Sequence, residues 1–190
     1  LDSSSLEIIT TYGNDTDHGI HRAFGIVFTT RVDSELTYLF AIKKASGPLA
    51  HHEFSQPRGV NPTTNGIQVV NELVYDANLW SLGVTNIYEK RESGTLVSET
   101  QQWFGTALRI MNYLSSEITL VQEISFDTLE LKDKYTARHR KYSLGLQYSK
   151  NKTFYDRPVY RFFITVFDVD DPYEVSTAGM NVGFQYETWW

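Results

Sequence analysis

The chain has 190 residues, enough for one domain, and its 17 Lys and Arg against 23 Asp and Glu give a net charge of −6, which excludes a protein built to bind nucleic-acid phosphates. Without cysteine it has no disulfide, no thiolate zinc site and no thiol nucleophile, and the compartment is left open. No apolar run approaches the roughly 18 residues of a membrane-spanning helix. The remaining oddity is 12 Tyr, 11 Phe and 4 Trp in a chain with a mean hydropathy of −0.33. Alternating strands, apolar on one face and polar on the other, reconcile those two numbers.

Taken in chain order, strands are expected at 6–10, 24–28, 36–42, 67–75, 80–88, 104–110, 118–126, 141–149, 160–166 and 180–190. Three carry the clearest period of two. Trp80, Leu82, Val84 and Tyr88 oppose Ser81, Gly83 and Thr85. Tyr142, Leu144, Leu146 and Tyr148 oppose Lys141, Ser143, Gly145, Gln147 and Ser149. Met180, Val182, Phe184, Tyr186 and Trp190 oppose Asn181, Gly183, Gln185, Glu187 and Trp189. About ten strands in one all-β domain over 1–190 follow, as a barrel or a sandwich.

The connections alternate. Short turns are expected at 32–34, 76–78, 112–116 and 150–156, and longer polar loops at 13–19, 46–65, 91–99, 131–136 and 168–177. Short turns at one end and long loops at the other are the pattern of a transmembrane antiparallel β-barrel, whose apolar face meets lipid and whose polar face lines a lumen. Two further features favour that orientation over a soluble sandwich. Aromatics gather near strand ends, as membrane-interface girdles do, and the opposite face carries Gly83, Gly105, Gly145 and Gly183, small residues that would leave room for a passage.

The ending Gly183-Phe184-Gln185-Tyr186-Glu187-Thr188-Trp189-Trp190 resembles the terminal strand of maltoporins and related carbohydrate-specific porins, which close on a double tryptophan. Three stretches resemble that family in the same order: Trp103 to Met111, Glu123 to Glu130 and Arg157 to Phe163. The resemblance is specific from about Trp80 onward. It implies a bacterial outer-membrane channel for facilitated diffusion of sugars of the maltodextrin, sucrose or β-glucoside type, a passive channel and not an enzyme. Family barrels have roughly eighteen strands, a size that leaves an aqueous channel, and assemble as homotrimers. Ten strands would correspond to the C-terminal part. Leu1 is not an initiator Met and no signal peptide precedes it, so a signal and earlier strands, with the family's constriction loop, are expected upstream.

Trp189 puts a large aromatic on an otherwise polar face, and a local rule broken at one site marks a candidate functional site. An aromatic plane suits the apolar C–H face of a pyranose. The resemblance agrees, because Trp189 matches the family's penultimate tryptophan, one of a line of aromatics along which sugars slide. Tyr155 matches another, with Tyr in place of Trp. Phe163 and Trp103 share the lumen phase and would extend the strip. Arg109, Arg161, Glu123, Asp127 and Glu187 fall on the same faces with both signs, where they would exchange hydrogen bonds with sugar hydroxyls or brace the wall. His51-His52-Glu53 matches no zinc spacing and reads as a loop. Asn14-Asp15-Thr16 and Asn151-Lys152-Thr153 are glycosylation sequons by spelling only. No cofactor or metal is implied and no catalytic motif occurs. A soluble carbohydrate-binding module is the other reading of these aromatics, and a barrel hydrolase a third.

Overall fold

A computed structural model describes residues 3–15, 19–46, 65–92, 100–131, 135–155, 158–172 and 177–187. These form ten strands: β1 Ser3–Asp15, β2 Gly19–Arg31, β3 Leu36–Ser46, β4 Asn65–Asp76, β5 Trp80–Glu92, β6 Gln101–Tyr113, β7 Ile118–Leu131, β8 Tyr135–Ser149, β9 Val159–Asp170 and β10 Thr177–Glu187. Each pairs antiparallel with its neighbour in chain order, in one up-and-down sheet. Every expected strand is present. Among the described residues β1 and β10 do not pair with each other, so the sheet is an open wall and not a closed barrel.

Because side chains alternate along a strand, the register decides which residues share a face. Tyr148 opposes Ile118 and Tyr160, and Phe184 opposes Phe162, so the apolar phases join into one continuous surface. On the other surface Arg109 opposes Glu123, and Gln147 opposes Arg161, which opposes Gln185. Burial runs opposite to that of a water-soluble protein. Phe184 is 67% exposed and Leu146 52%, whereas Arg161 is 8% exposed and Gln147 1%. A soluble fold would bury the first pair and expose the second. In a lipid-embedded wall the exposed apolar surface is the one that lipid covers.

Aromatic rings outline this outer surface. At the short-turn end Tyr75 stacks on Trp80 with centroids 5.3 Å apart, and Tyr160 meets Tyr186 at 4.9 Å and Tyr148 at 6.3 Å. On β8 the next aromatic of that phase is Tyr142, six residues or about 20 Å along the strand. Beyond it the outer phase turns charged, with an exposed Arg140–Asp168 pair and, on β5 beyond Tyr88, Lys90–Glu92. Those charges lie outside the apolar band. Near its edge the outward Asn86 accepts from Thr106, Oγ1 to Oδ1 at 2.9 Å, and donates to Asn71.

Two expected loops are shorter than the sequence suggested. β1 runs to Asp15 and β2 starts at Gly19, and β7 runs to Leu131 with β8 from Tyr135, so three residues remain in each connection. The ladder continues through polar residues because strands of 11 to 15 residues exceed the roughly 9–11 needed to span the apolar layer. The tight turns have local causes. Asp33 Oδ1 accepts from the Glu35 and Leu36 amides at 2.8 and 2.7 Å, and those bonds hold its carboxyl below the ordinary range. Ser115 Oγ accepts from Glu117 and Ile118. Both are side-chain-closed turns of the kind Asp and Ser favour.

Candidate functional site

The charged residues expected on the lumen phase all fall on the inner face, in two groups held by side-chain bonds. Arg109 on β6 donates through Nε and Nη2 to Glu123 Oε2 on β7, at 2.9 and 2.6 Å, and Lys141 Nζ lies 4.0 Å from Glu123 Oε1. Nearer the short turns Arg161 donates through Nε and Nη2 to Gln147 Oε1, at 3.2 and 2.7 Å, and through Nη1 to Gln185 Oε1 at 3.2 Å. Its Nη1 is 3.7 Å from Glu187 Oε1. Asp127 leans instead over Gly105, where a Cβ would come 2.6 Å from Asp127 Oδ1 and 3.0 Å from the Trp103 indole. Opposite charges at cross-strand positions stabilise each other and leave the wall polar but nearly neutral locally. That suits passage of an uncharged polyhydroxyl solute.

The inner glycines do not leave the passage empty, as their size had suggested. Gly83, Gly105, Gly179 and Gly183 each support a ring, while a Cβ at Gly145 would meet the Phe162 carbonyl at 3.0 Å. A Cβ at Gly183 would come 2.5 Å from Phe163 Cζ, one at Gly179 2.5 Å from Phe167 Cζ, and one at Gly83 would collide with the Phe154 ring. A ring can lie against the backbone only where the cross-strand partner lacks a side chain. Phe163 and Trp103 therefore occupy the inner face as expected, both half-buried.

Tyr155 sits in the β8–β9 connection, whose described residues 150–155 fold over the inner face. Its hydroxyl donates to Glu72 Oε2 on β4 at 2.9 Å, and its ring meets Phe154 edge-on at 5.2 Å. The ring is 45% exposed and open to a solute. Burial, reinforced by the Glu72 carboxylate, pushes the phenol well above its ordinary range, so it stays a hydrogen-bond donor at any physiological pH. Trp189, Trp190, Asp156, Arg157 and the His51-His52-Glu53 run lie outside the described residues.

Period-two counting placed Gln147 and Gln185 on the polar face without marking them as site residues, and it missed Phe154, Phe167 and Glu72. Glu72 and Phe167 lie on the inner phase of their strands, and extending the same counting to β4 and β9 finds them. Phe154 had a fainter signal: it is an apolar residue in the polar run Lys150-Asn151-Lys152-Thr153.

A wall of consecutive antiparallel strands, with an exposed apolar band between aromatic rows and a polar face carrying paired charges and flat rings, is the wall of a porin-type transmembrane barrel, of which ten strands are described. The LamB porin family model matches residues 1–190, and the chain belongs to the LamB porin family. Its members are sugar channels of the bacterial outer membrane, and the family is not one of enzymes. A comparison with curated proteins finds no match.

Proposed function

We propose that this chain forms the C-terminal wall of a homotrimeric outer-membrane channel that passes sugars of the maltodextrin, sucrose or β-glucoside type along an aromatic strip. Tyr155, Phe163, Trp103 and Trp189 offer ring faces to the apolar side of the sugar. Arg109, Arg161, Glu123, Asp127 and Glu187 exchange hydrogen bonds with its hydroxyls as it sheds water. The observation carrying this reading is Tyr155, an exposed aromatic folded onto a polar inner wall with its hydroxyl already bonded to Glu72. A half-bonded phenol beside an open ring face is a sugar-binding element, apolar on its plane and polar at its edge.

The chain acts as one domain, and the open edges at β1 and β10 support its being part of a larger barrel, because unpaired edges are not tolerated in lipid. The soluble-module reading fares badly, since the large apolar side chains are the exposed ones. Sugar titration of single-channel current through the complete porin tests the proposal. Tyr155→Ala and Trp189→Ala should each weaken sugar block by about 1–2 kcal/mol, the scale of an aromatic contact. Undiminished block in both, in normally folded trimers, refutes the strip.

A further inference from the structure

Every large apolar side chain that the strands expose on the outer phase has a lipid reason to be there, but two aromatics, Tyr113 and Phe154, are buried on the inner side, and Phe154 comes from outside the strands. Phe154, 6% exposed, packs on the inner face with Val74, Met111, Tyr113 and Val121, the larger of two buried apolar clusters among the described residues. Those partners lie on β4, β6 and β7, whereas Phe154 belongs to the β8–β9 connection. Reaching β4 from β8 crosses four strand spacings, about 19 Å, so this connection is no simple hairpin turn.

Its position is fixed at several points. The Phe154 amide donates to Asp76 Oδ2 at 3.1 Å, and Asp76 Oδ1 is held in turn by Tyr113 Oη at 2.8 Å and by Ser81. The Phe154 ring lies over Gly83. The Arg109 guanidinium stands 5.8 Å from the ring centroid and is itself anchored to Glu123. Cation, ring, glycine seat and backbone amide thus hold one turn against the wall.

Accepting that the wall lines a channel, we propose that residues 150–155 of the β8–β9 connection are a permanent wedge narrowing that channel at its short-turn end. Phe154 is its positioning residue and Gly83 its seat. The wedge limits the passage of ions and bulky solutes and presents Tyr155 to the lumen, so this part of the barrel carries a constriction of its own.

Two variants unseat the wedge by independent routes in the complete porin. Phe154→Ala removes its apolar foot, and Gly83→Val fills its seat from β5. Both should raise single-channel conductance in the absence of sugar and admit larger polyethylene glycols in polymer-exclusion sizing. Wild-type conductance and wild-type exclusion in folded trimers of both variants would overturn the proposal. Should either fail to assemble, Gly83→Ala decides by the same two readings, because even a single Cβ collides with the ring. The channel reading and the wedge fail separately: weakened sugar block at unchanged sugar-free conductance supports the strip and overturns the wedge, and raised conductance with intact block supports the constriction and removes Tyr155 from the strip.

Discussion

Phe184→Arg should destabilise the membrane-folded barrel by about 2–4 kcal/mol, the cost of a cation at the bilayer midplane on the lipid face. Phe184 lies on the outer phase of β10, opposite Phe162 and 67% exposed, so an arginine there faces hydrocarbon without a partner. Gln185→Arg places the same charge one residue along, on the inner face. There the nearest opposite charge is the Glu187 carboxylate two residues along, and water is at hand, although Arg161 is a like charge across the strand pair. Gln185→Arg should therefore cost much less. Folding titrations of the complete porin into lipid vesicles compare the two, and the opposite order would mean that the faces are reversed.

Arg161→Met should cost about 2–3 kcal/mol, mostly from acceptors left without a donor in a buried place. Arg161 satisfies Gln147 Oε1 twice and Gln185 Oε1 once and stands against Glu187. Gln147 is 1% exposed, so water cannot replace the guanidinium at its oxygen. Arg161→Lys should recover only part of the loss, because one ammonium cannot reproduce the forked donation to two glutamines. The same folding titrations check both variants. No loss in Arg161→Met would mean that the inner-wall network contributes nothing to assembly.

Much of this wall was legible because β8 and β10 obey period two almost without exception. Tyr142 to Tyr148 and Met180 to Tyr186 define the outer surface unaided, and the charges of the inner surface follow from their phase. The loop ends were harder to read. Gly13-Asn14-Asp15 has turn composition, yet it pairs with 19–21, since ladder bonds need no apolar side chain. The 150–155 segment was legible only as a turn, because its inward fold depends on Asp76, Gly83 and Met111, which lie 43 to 78 residues from Phe154 and give no local sign. The inner glycines misled for a related reason. Their lack of a side chain announces space, but the register puts a ring into that space.

Adjacent residues of one strand should face different media, and cysteine labelling measures this directly, because these 190 residues contain no cysteine of their own. Asn181 is on the inner phase of β10, opposite Thr165, and Val182 is on the outer phase, opposite Ile164. Single Asn181→Cys and Val182→Cys variants of the complete porin in lipid would be treated with a membrane-impermeant thiol reagent, with and without saturating oligosaccharide. Position 181 should label rapidly and more slowly with sugar, and position 182 should not label. Labelling at 182, or labelling at 181 that sugar leaves unchanged, would contradict the reading of this wall as a sugar channel.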